Sequence, residues 1–273
     1  DAYLVIVIGI AGVVGVVDAM LSMSTGLNKT LTATGDPNRA IILRGGSNGE
    51  LASFLDRSSS TLIKQDPAIA RHPDGLPFAS GELIVITEVP RKGQSSGANV
   101  SLRGVEPKGF DIRPELNILQ GRKFKPGLRE LMVGAGAYKQ FDGLQVGSKL
   151  KFRGSYWDVV GVFETKDAHD SELWADLDTV QSAFGRTGMS SVVVRLNYSK
   201  AFDDLKRRLT ADPQLTVDVK TEQDYFSSQS SGLTSQIGFL TNIVAYIMAF
   251  GALFGALNTM YSAVSSRTAE IGT

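Results

Sequence analysis

The sequence predicts a membrane protein with an α+β extracytoplasmic domain, in which two transmembrane helices flank a mixed α/β subdomain that carries a β-rich insertion. Three observations lead to this fold class. The chain of 273 residues has 28 basic and 28 acidic residues, yet residues 2–17 and 225–266 contain no charge. Residues 18–224 therefore hold almost all of the charge, at the density of a typical globular protein. This middle region also combines strand-like and helix-like hydrophobic patterns.

The first apolar stretch is predicted to be transmembrane helix 1, at residues 2–23. Asp18 is its one ionisable residue, and as a helix the stretch reaches about 33 Å, enough to span a bilayer core. Residues 3–17 are apolar on all sides, whereas a helix on a soluble core shows a polar stripe. The main alternative is a secretory signal peptide, which would carry a basic segment ahead of the apolar run.

The second apolar stretch is predicted to be a stalk continuing into transmembrane helix 2, at residues 223–266. Thr221 is expected to cap the start of this helix, with acidic residues in its first turn. The apolar part, residues 237–264, reaches about 42 Å and should tilt or protrude from a hydrocarbon core of about 30 Å. Arg267 follows it and favours a cytoplasmic C-terminus, which places residues of about 24–235 outside.

Small residues inside both apolar stretches predict close helix packing. Glycines at short spacing let helix backbones approach in lipid, and they occur in both helices: Gly9, Gly12 and Gly15 in the first, Gly251 and Gly255 in the second. Asn258 is costly to leave facing lipid and should point into a helix bundle. The alternative is that glycine is simply common in membrane helices.

The middle region is predicted to form two subdomains. Strand-like runs cover residues 40–44, 82–89, 100–105, 131–134, 149–152, 157–163 and 191–196, and helix-like runs cover 49–65, 179–184 and 199–210. Strand, helix, strand units lie near both ends of the region. We therefore expect an α/β subdomain formed by residues 24–109 and 187–222, with a β-rich insertion at residues 110–186.

Composition excludes several functional classes. The chain has no cysteine, which rules out disulfides, thiolate zinc sites and cysteine nucleophiles. Its two histidines, His72 and His169, are far apart in sequence, which argues against a metal site. Nucleic acid is not an expected partner, because phosphate neutralisation needs a concentrated basic face and the chain has no Lys/Arg run.

One motif resembles a hydrolase nucleophile. Residues 45–49 read G-G-S-N-G, a literal G-x-S-x-G between a predicted strand and a predicted helix, so a membrane-anchored serine hydrolase using Ser47 is one hypothesis. His72 or His169 would have to be its base, and His169 lies in a polar sequence expected to be an exposed loop. The favoured interpretation is a glycine-rich turn. No P-loop sequence occurs, so this chain is not expected to hydrolyse ATP itself.

The end of the second apolar helix carries a family signature. Residues 258–273 read NTMYSAVSSRTAEIGT, which resembles the N-T-M…V-x-x-R-T-x-E-I-G-x signature of MacB-type, FtsX-like ABC transporter permeases. The middle is similar to this family as well: residues 131–163 match its V-G-x-x-x-A/Y-x-x-F core and V-x-G-V-F strand, and residues 104–107 and 119–122 match its G-V-x-P and x-x-G-R elements. The resemblance implies an α/β porter-like subdomain with a β-rich insert, and two further membrane helices after residue 273.

The resemblance also implies a function. In this family a cytoplasmic ABC ATPase binds ATP and passes its closure to the permease through the segment after the second helix, which here begins at residue 267. The matching residues are Arg267, Glu270, Ile271 and Gly272. We therefore expect a permease subunit in the bacterial inner membrane, with a second permease copy or homologue, a possible periplasmic adaptor and no cofactor of its own. A receptor or interaction module without an ATPase is the alternative.

Overall fold

The computed structural model describes residues 2–94, 96–198 and 200–271. Its helices are α1 (Ala2–Ala33), α2 (Arg57–Lys64), α3 (Gly109–Ile112), α4 (Ala135–Gln140), α5 (Leu177–Phe184), α6 (Ala201–Ala211) and α7 (Glu222–Ile271), with 3₁₀ turns at Glu50–Ala52 and Ala168–Ser171. Its strands are β1 (Arg39–Arg44), β2 (Ala79–Pro90), β3 (Gly97–Val105), β4 (Asn117–Gly121), β5 (Glu130–Gly134), β6 (Lys149–Phe152), β7 (Ser155–Glu164), β8 (Leu173–Asp176), β9 (Ser191–Arg195) and β10 (Val217–Thr221).

The chain divides into two compact units. The first consists of Asp1–Lys29 and Ser228–Thr273, and the second is Thr30–Ser227. All ten strands lie in the second unit and form one mixed sheet in the order β10-β1-β9-β2-β3-β8-β5-β7-β4, with β6 paired to β7. Neighbouring strands are antiparallel except for β3 with β8 and β5 with β7. The mixed α/β domain that the sequence predicts is therefore present.

Two hydrophobic clusters fill the two ends of this sheet. The first lies under α2 and α6 and includes Ile42, Ile63, Val194, Leu205 and Val219. The second lies under α4 and α5 and includes Leu102, Leu131, Trp157, Leu173 and Val180. Strands β2 and β3 supply side chains to the second cluster. The predicted subdomain boundaries at residues 109/110 and 186/187 stay a prediction.

The single helix predicted at residues 49–65 is wrong. A 3₁₀ turn ends at Ala52 and α2 begins only at Arg57. Between them the backbone N–H of Leu55 donates to the carbonyl of Met189, and the N–H of Met189 donates back, both at 2.8 Å. This exchange with the segment before β9 holds the chain extended, so tertiary pairing overrides the helical pattern. Asp56 then caps α2 by accepting the Ser59 N–H at 2.7 Å.

The first unit contains most of α1 and of α7. Gly238–Tyr261, with a mean hydropathy of 1.8, is the one helical segment of the described residues that is long and apolar enough to cross a membrane. The predicted first span at residues 2–23 falls partly on residues whose side chains lie outside the described part, so the two-span layout is not confirmed. At the start of α7, the Asp224 N–H donates to Thr221 Oγ1 at 3.0 Å, which confirms the predicted cap.

Candidate functional site

The first turn of α7 rests on a group of buried charges in the second unit. We call this group the buried network: Arg39, Arg103, Arg113, Glu50, Glu82, Glu172 and Glu222. Glu172 is 13% exposed at its side chain, and the other six are at most 5% exposed. The seven residues come from three strands, two helix ends and the two 3₁₀ turns, so the network joins elements that are distant in sequence.

Arg103 lies at the centre of the buried network. It stands on β3 and contacts three carboxylates with distances typical of charge-assisted hydrogen bonds: Nη1 to Glu82 Oε2 at 2.7 Å, Nε to Glu172 Oε2 at 2.7 Å, and Nη1 to Glu50 Oε1 at 2.9 Å. Ser191 Oγ donates a further bond to Glu50 Oε1 at 2.7 Å, and Trp174 Nε1 donates to Glu172 Oε2 at 2.8 Å. These two donors occupy further acceptor positions on Glu50 and Glu172.

Arg39 and Arg113 connect α7 to this centre through Glu222. The Glu222 carboxylate lies 2.5 Å from Arg39 Nε and 3.6 Å from Arg113 Nη2, and it accepts the Asp36 N–H at 3.1 Å. Arg113 in turn donates to Glu82 Oε1 at 2.6 Å, and Arg103 donates to the other oxygen of the same carboxylate, Oε2. An unbroken chain of ion pairs therefore runs from the first residue of α7 to β2 and β3.

Glu82 and Arg39 remain charged although they are buried. Burial alone would raise the pKa of Glu82, but the guanidinium groups of Arg113 and Arg103 outweigh it and lower that pKa to about 2. Burial likewise acts against Arg39, yet the carboxylates of Glu222 and Glu115 hold its pKa above the ordinary value. Because each of the three guanidinium groups faces at least two carboxylates, removing one partner leaves a buried charge that is less well compensated.

Aromatic side chains complete the seat of α7. The hydroxyl oxygen of Tyr225 accepts the Glu50 N–H at 3.1 Å, and Phe226 packs edge-on against His169 with ring centroids 5.5 Å apart. Both aromatic residues belong to a hydrophobic cluster with Ile41 and Leu43 of β1. The first turn of α7 is thus held by ion pairs on one side and by apolar packing on the other.

His169 is buried, and its predicted exposure as a loop residue is wrong. Its 3₁₀ turn is fixed by Asp167, which accepts the His169 N–H at 2.9 Å and lies 3.0 Å from Nδ1, and its ring also meets Trp174 edge-on at 5.7 Å. Burial alone would lower the pKa of His169, but the hydrogen bond to Asp167 and the charge of Glu172 raise it above the ordinary value.

The residues of the hydrolase hypothesis do not come together. Ser47 Oγ lies 3.5 Å from the carbonyl oxygen of Ala52, at the limit of a hydrogen bond, and its neighbour Gly46 adopts φ +79°, as a tight turn requires. His72 stacks on Phe78 with ring centroids 3.5 Å apart, while His169 is occupied by Asp167. The G-x-S-x-G sequence is a glycine-rich turn between β1 and the 3₁₀ turn at Glu50–Ala52.

The predicted helix-packing and coupling residues lie in the first unit. Among the described atoms, nothing lies within 4 Å of a Cβ built on the four glycines Gly12, Gly15, Gly251 and Gly255, and Asn258 is exposed. The side-chain surroundings of Gly9, and the side chains of Arg267, Glu270 and Ile271 in the last turns of α7, lie outside the described part, as does all of Gly272. Both roles stay predictions.

Sequence reasoning missed the buried network, although one signal was available. Glu82 begins an otherwise apolar run, E-L-I-V-I, and Arg103 stands between Leu102 and Gly104 in another strand-like run. A charged residue inside such a run is either on a solvated face or buried with a partner. The partners lie 69 positions away for Arg103 and Glu172 and 183 for Arg39 and Glu222, so spacing could not reveal them.

Known proteins share this architecture. The family model of the MacB-like periplasmic core domain matches residues 2–212. The extracellular domain of the noncanonic ABC-type transporter YknZ from Gram-positive bacteria matches with a TM-score of 0.50 and 14% identity, over 67% of this chain and 100% of that one. The periplasmic region of MacB from Actinobacillus actinomycetemcomitans matches with a TM-score of 0.50 and 17% identity, over 68% and 90%. At these identities the two structural matches concern the fold.

No curated protein matches the chain. The family model nevertheless covers well over half of the 273 residues and includes the whole of β1 to β9. The mixed α/β domain is the fold that the resemblance implied. This chain therefore belongs to the family of the MacB-like periplasmic core domain, that of the MacB-type ABC transporter permeases.

Proposed function

We propose that this protein is the permease subunit of an ABC transporter and that α7 carries ATP-driven motion from the cytoplasm to the periplasmic domain. One observation carries the proposal. Helix α7 is continuous from Glu222, which is held in the buried network, through the candidate span Gly238–Tyr261, to the R-T-x-E-I-G segment that begins at Arg267. A single element thus connects the predicted ATPase contact with the core of the sheet.

The geometry suits the transfer of force. A helix of 50 residues is about 75 Å long, and its backbone hydrogen bonds make it stiffer along its axis than a loop. A displacement of the helix would act on Glu222, and through Arg39 and Arg113 on β1 and β2. Since interlocked ion pairs and packed cores have discrete arrangements, they pass a displacement on rather than absorb it.

The remaining parts of the proposal follow from the family. Residues of about 24–235 would lie on the periplasmic side of the bacterial inner membrane, between two spans at residues 2–23 and 237–264. A cytoplasmic ATPase, fused or separate, would bind the segment of residues 267–272 and hydrolyse ATP, for which this chain needs no cofactor. A second permease copy or homologue would pack on the glycine faces of α1 and α7, and a periplasmic adaptor would complete the assembly for export or extraction of a substrate.

The other two hypotheses are not favoured. A serine hydrolase needs an imidazole beside Ser47, whose hydroxyl instead lies near the Ala52 carbonyl. A receptor module without an ATPase would leave the R-T-x-E-I-G segment without a role. Assembly with a nucleotide-binding protein is what separates a receptor from a permease.

The proposal is tested by site-specific photo-crosslinking in the complete gene product. A benzoylphenylalanine at Ala269 in intact cells should trap an ATP-binding protein, while the same group at Tyr246, inside the candidate span and exposed, should not. The charge reversal Glu270→Lys should abolish the crosslink from Ala269. A well-expressed protein that traps no ATP-binding protein from Ala269 would refute the proposed coupling.

A further inference from the structure

Strand β2 has an open edge in the middle of the sheet. β9 pairs only with Ala79–Glu82, whereas β3 pairs with β2 from Glu82 to Pro90. On the side of β9, the Glu82 carbonyl accepts the Ser190 N–H at 2.7 Å and the Ile84 N–H donates to Ser190 Oγ at 3.1 Å. Backbone groups alternate between the two edges of a strand, so Ile86 and Glu88 present their N–H and C=O groups to the same side.

Beyond Ile84, this edge is unpaired until the strand ends. Among the described residues, no backbone hydrogen bond from outside the β2–β3 ladder reaches Ile86 or Glu88, and the next bond on this side is from the Asp142 N–H to the Pro90 carbonyl at 2.9 Å. An unpaired strand edge presents free N–H and C=O groups and is a template for an added strand. Here the free stretch is bounded at both ends by the protein's own hydrogen bonds.

A cleft runs along this open edge. It consists of two adjoining cavities of about 440 and 390 Å³ that share Ile86, Arg153 and Phe184. Its apolar surface includes Leu51, 63% exposed, and Ile86, 42% exposed. We call it the β2 cleft and define it by these residues together with Lys151 and Arg186: Leu51, Ile86, Lys151, Arg153, Phe184 and Arg186.

The β2 cleft is positively charged. Lys151, Arg153 and Arg186 are exposed, and none of them has a carboxylate within ion-pair distance among the described residues. The cleft also contains Glu88, but this side chain covers Gly97 of β3. Three unpaired cations beside a free strand edge and an apolar floor are complementary to an acidic, extended chain with alternating apolar side chains.

Arg153 is held over the cleft by an unusual turn. Arg153 and Gly154 connect β6 to β7 with φ of 49° and 79°, the left-handed conformation at both central positions of a two-residue hairpin. This position favours asparagine or glycine, and an arginine there is strained. Its guanidinium lies 5.6 Å from the centre of the Phe184 ring, which directs the charge over the cleft.

We propose that the β2 cleft is a docking site for an extended acidic segment of a partner protein, which adds to the free edge of β2 as a further strand. Backbone hydrogen bonds to Ile86 and Glu88 would hold the segment in register. Its acidic side chains would meet Arg153 and Arg186, and its apolar side chains would rest on Leu51 and Phe184. The inference goes beyond the proposed function, since strand addition at β2 requires neither the ATPase nor the membrane.

The test measures binding of a defined probe to the full chain in detergent. The probe is a fluorescein-labelled heptapeptide, Glu-Val-Glu-Val-Glu-Val-Glu, followed by fluorescence anisotropy. We expect a Kd below about 1 mM, and the double variant Arg153→Glu/Arg186→Glu should weaken binding by at least about tenfold, because it removes charge-assisted hydrogen bonds. Lys206→Glu, an exposed cation on α6 that lies outside the cleft, is the matched control and should leave Kd unchanged.

Two further measurements distinguish strand addition from charge attraction. Ile86→Pro removes an outward N–H at an edge, where proline is tolerated, and should abolish binding while circular dichroism stays unchanged. Two probes are N-methylated at alternate residues, so that only one of them loses the N–H groups that face β2. That probe should bind at least about tenfold more weakly than the other. Two methylated probes that bind equally well would overturn the proposal. A double variant that binds the unmethylated probe as tightly as the wild type does would overturn it too. The proposal would also be overturned if the chain formed a dimer that binds no probe and that dissociates in the Ile86→Pro variant.

Discussion

Replacing Glu222 by glutamine tests whether the buried network holds the start of α7. The glutamine keeps the shape of the side chain but removes the charge that lies 2.5 Å from Arg39 and 3.6 Å from Arg113. It also turns an amide N–H₂ group toward guanidinium groups that can only donate. Breaking a buried ion pair by changing one partner costs about 3–5 kcal/mol of folding free energy.

The cost for Glu222→Gln should lie at the lower end of this range, about 3 kcal/mol. Arg39 keeps Glu115, 2.7 Å away, and Arg113 keeps Glu82, so neither guanidinium loses its last partner. For a unit of this size, the free energy of unfolding falls by about 3 kcal/mol for each 1 M urea. The urea midpoint should therefore drop by about 1 M.

Asp224→Asn is the matched control for this prediction. Asp224 lies in the same turn of α7 and is exposed, so the substitution removes the same charge from the helix start without touching the network. Its expected cost is at most about 1 kcal/mol, the value of an acid at a helix N-terminus. Tryptophan fluorescence is a suitable probe, because Trp157 and Trp174 are both fully buried in the sheet unit. Equal midpoint shifts for the two variants would refute the role of Glu222.

Three other perturbations have expected outcomes. The folded-state pKa of His169 is raised, so the contribution of its protonated imidazole to folding stability is fully present below the unfolded pKa of 6.5 and disappears as the pH rises through the folded pKa. The difference in urea midpoint between the wild type and His169→Gln should narrow over that interval. Gly121→Ala should cost more than about 3 kcal/mol and Gly185→Ala only about 1 kcal/mol, because both have positive φ but a Cβ on Gly121 would strike the Val160 carbonyl while one on Gly185 meets open space. Asp176→Ala should cost about 2 kcal/mol, because Asp176 caps α5 through the Thr179 N–H and also accepts the Gly127 N–H, both at 3.1 Å.

Each of these three predictions has an outcome that would contradict it. For His169, a wild-type advantage that grows with pH would mean that the imidazole is stabilised in its neutral form. For the glycines, equal urea midpoints would show that the Val160 carbonyl moves aside. For Asp176, the control is Asp178→Ala, in the same first turn but exposed and not the cap. A similar loss in both variants would attribute the effect to helix charge rather than to capping.

The sequence predicted most strands because their hydrophobic patterns are local. The predicted runs at residues 40–44, 82–89 and 157–163 lie inside β1, β2 and β7. β8 escaped notice: it has four residues, L-W-A-D, all buried, and shows no alternation. β8 pairs with β3 and β5, so its strand state depends on neighbours that are distant in sequence. A short strand of this kind has no local signal strong enough to detect.

The candidate site was less predictable than the fold for a related reason. Burial of Glu82 and Arg103 is favourable only when both are present with their partners, and the pattern of one strand does not contain its partner. The same holds for His169, whose neighbours Asp167 and Thr165 are polar and make the segment resemble a loop. The segment is buried because Trp174 and Phe226 cover the imidazole, and Phe226 belongs to α7.

The ionic character of the junction matters for how α7 can move. An apolar junction of equal volume would often be as stable as a buried ion network, so stability alone does not explain these charges. Register does. A slip of α7 by one residue shifts its first turn by about 1.5 Å and rotates it by about 100°, which would carry Glu222 away from Arg39. Leucine side chains tolerate such a slip because their contacts have no direction, whereas paired guanidinium and carboxylate groups do not. Under the proposed function, a helix held in this way would pass a push or a pull to β1 and β2 instead of sliding over them.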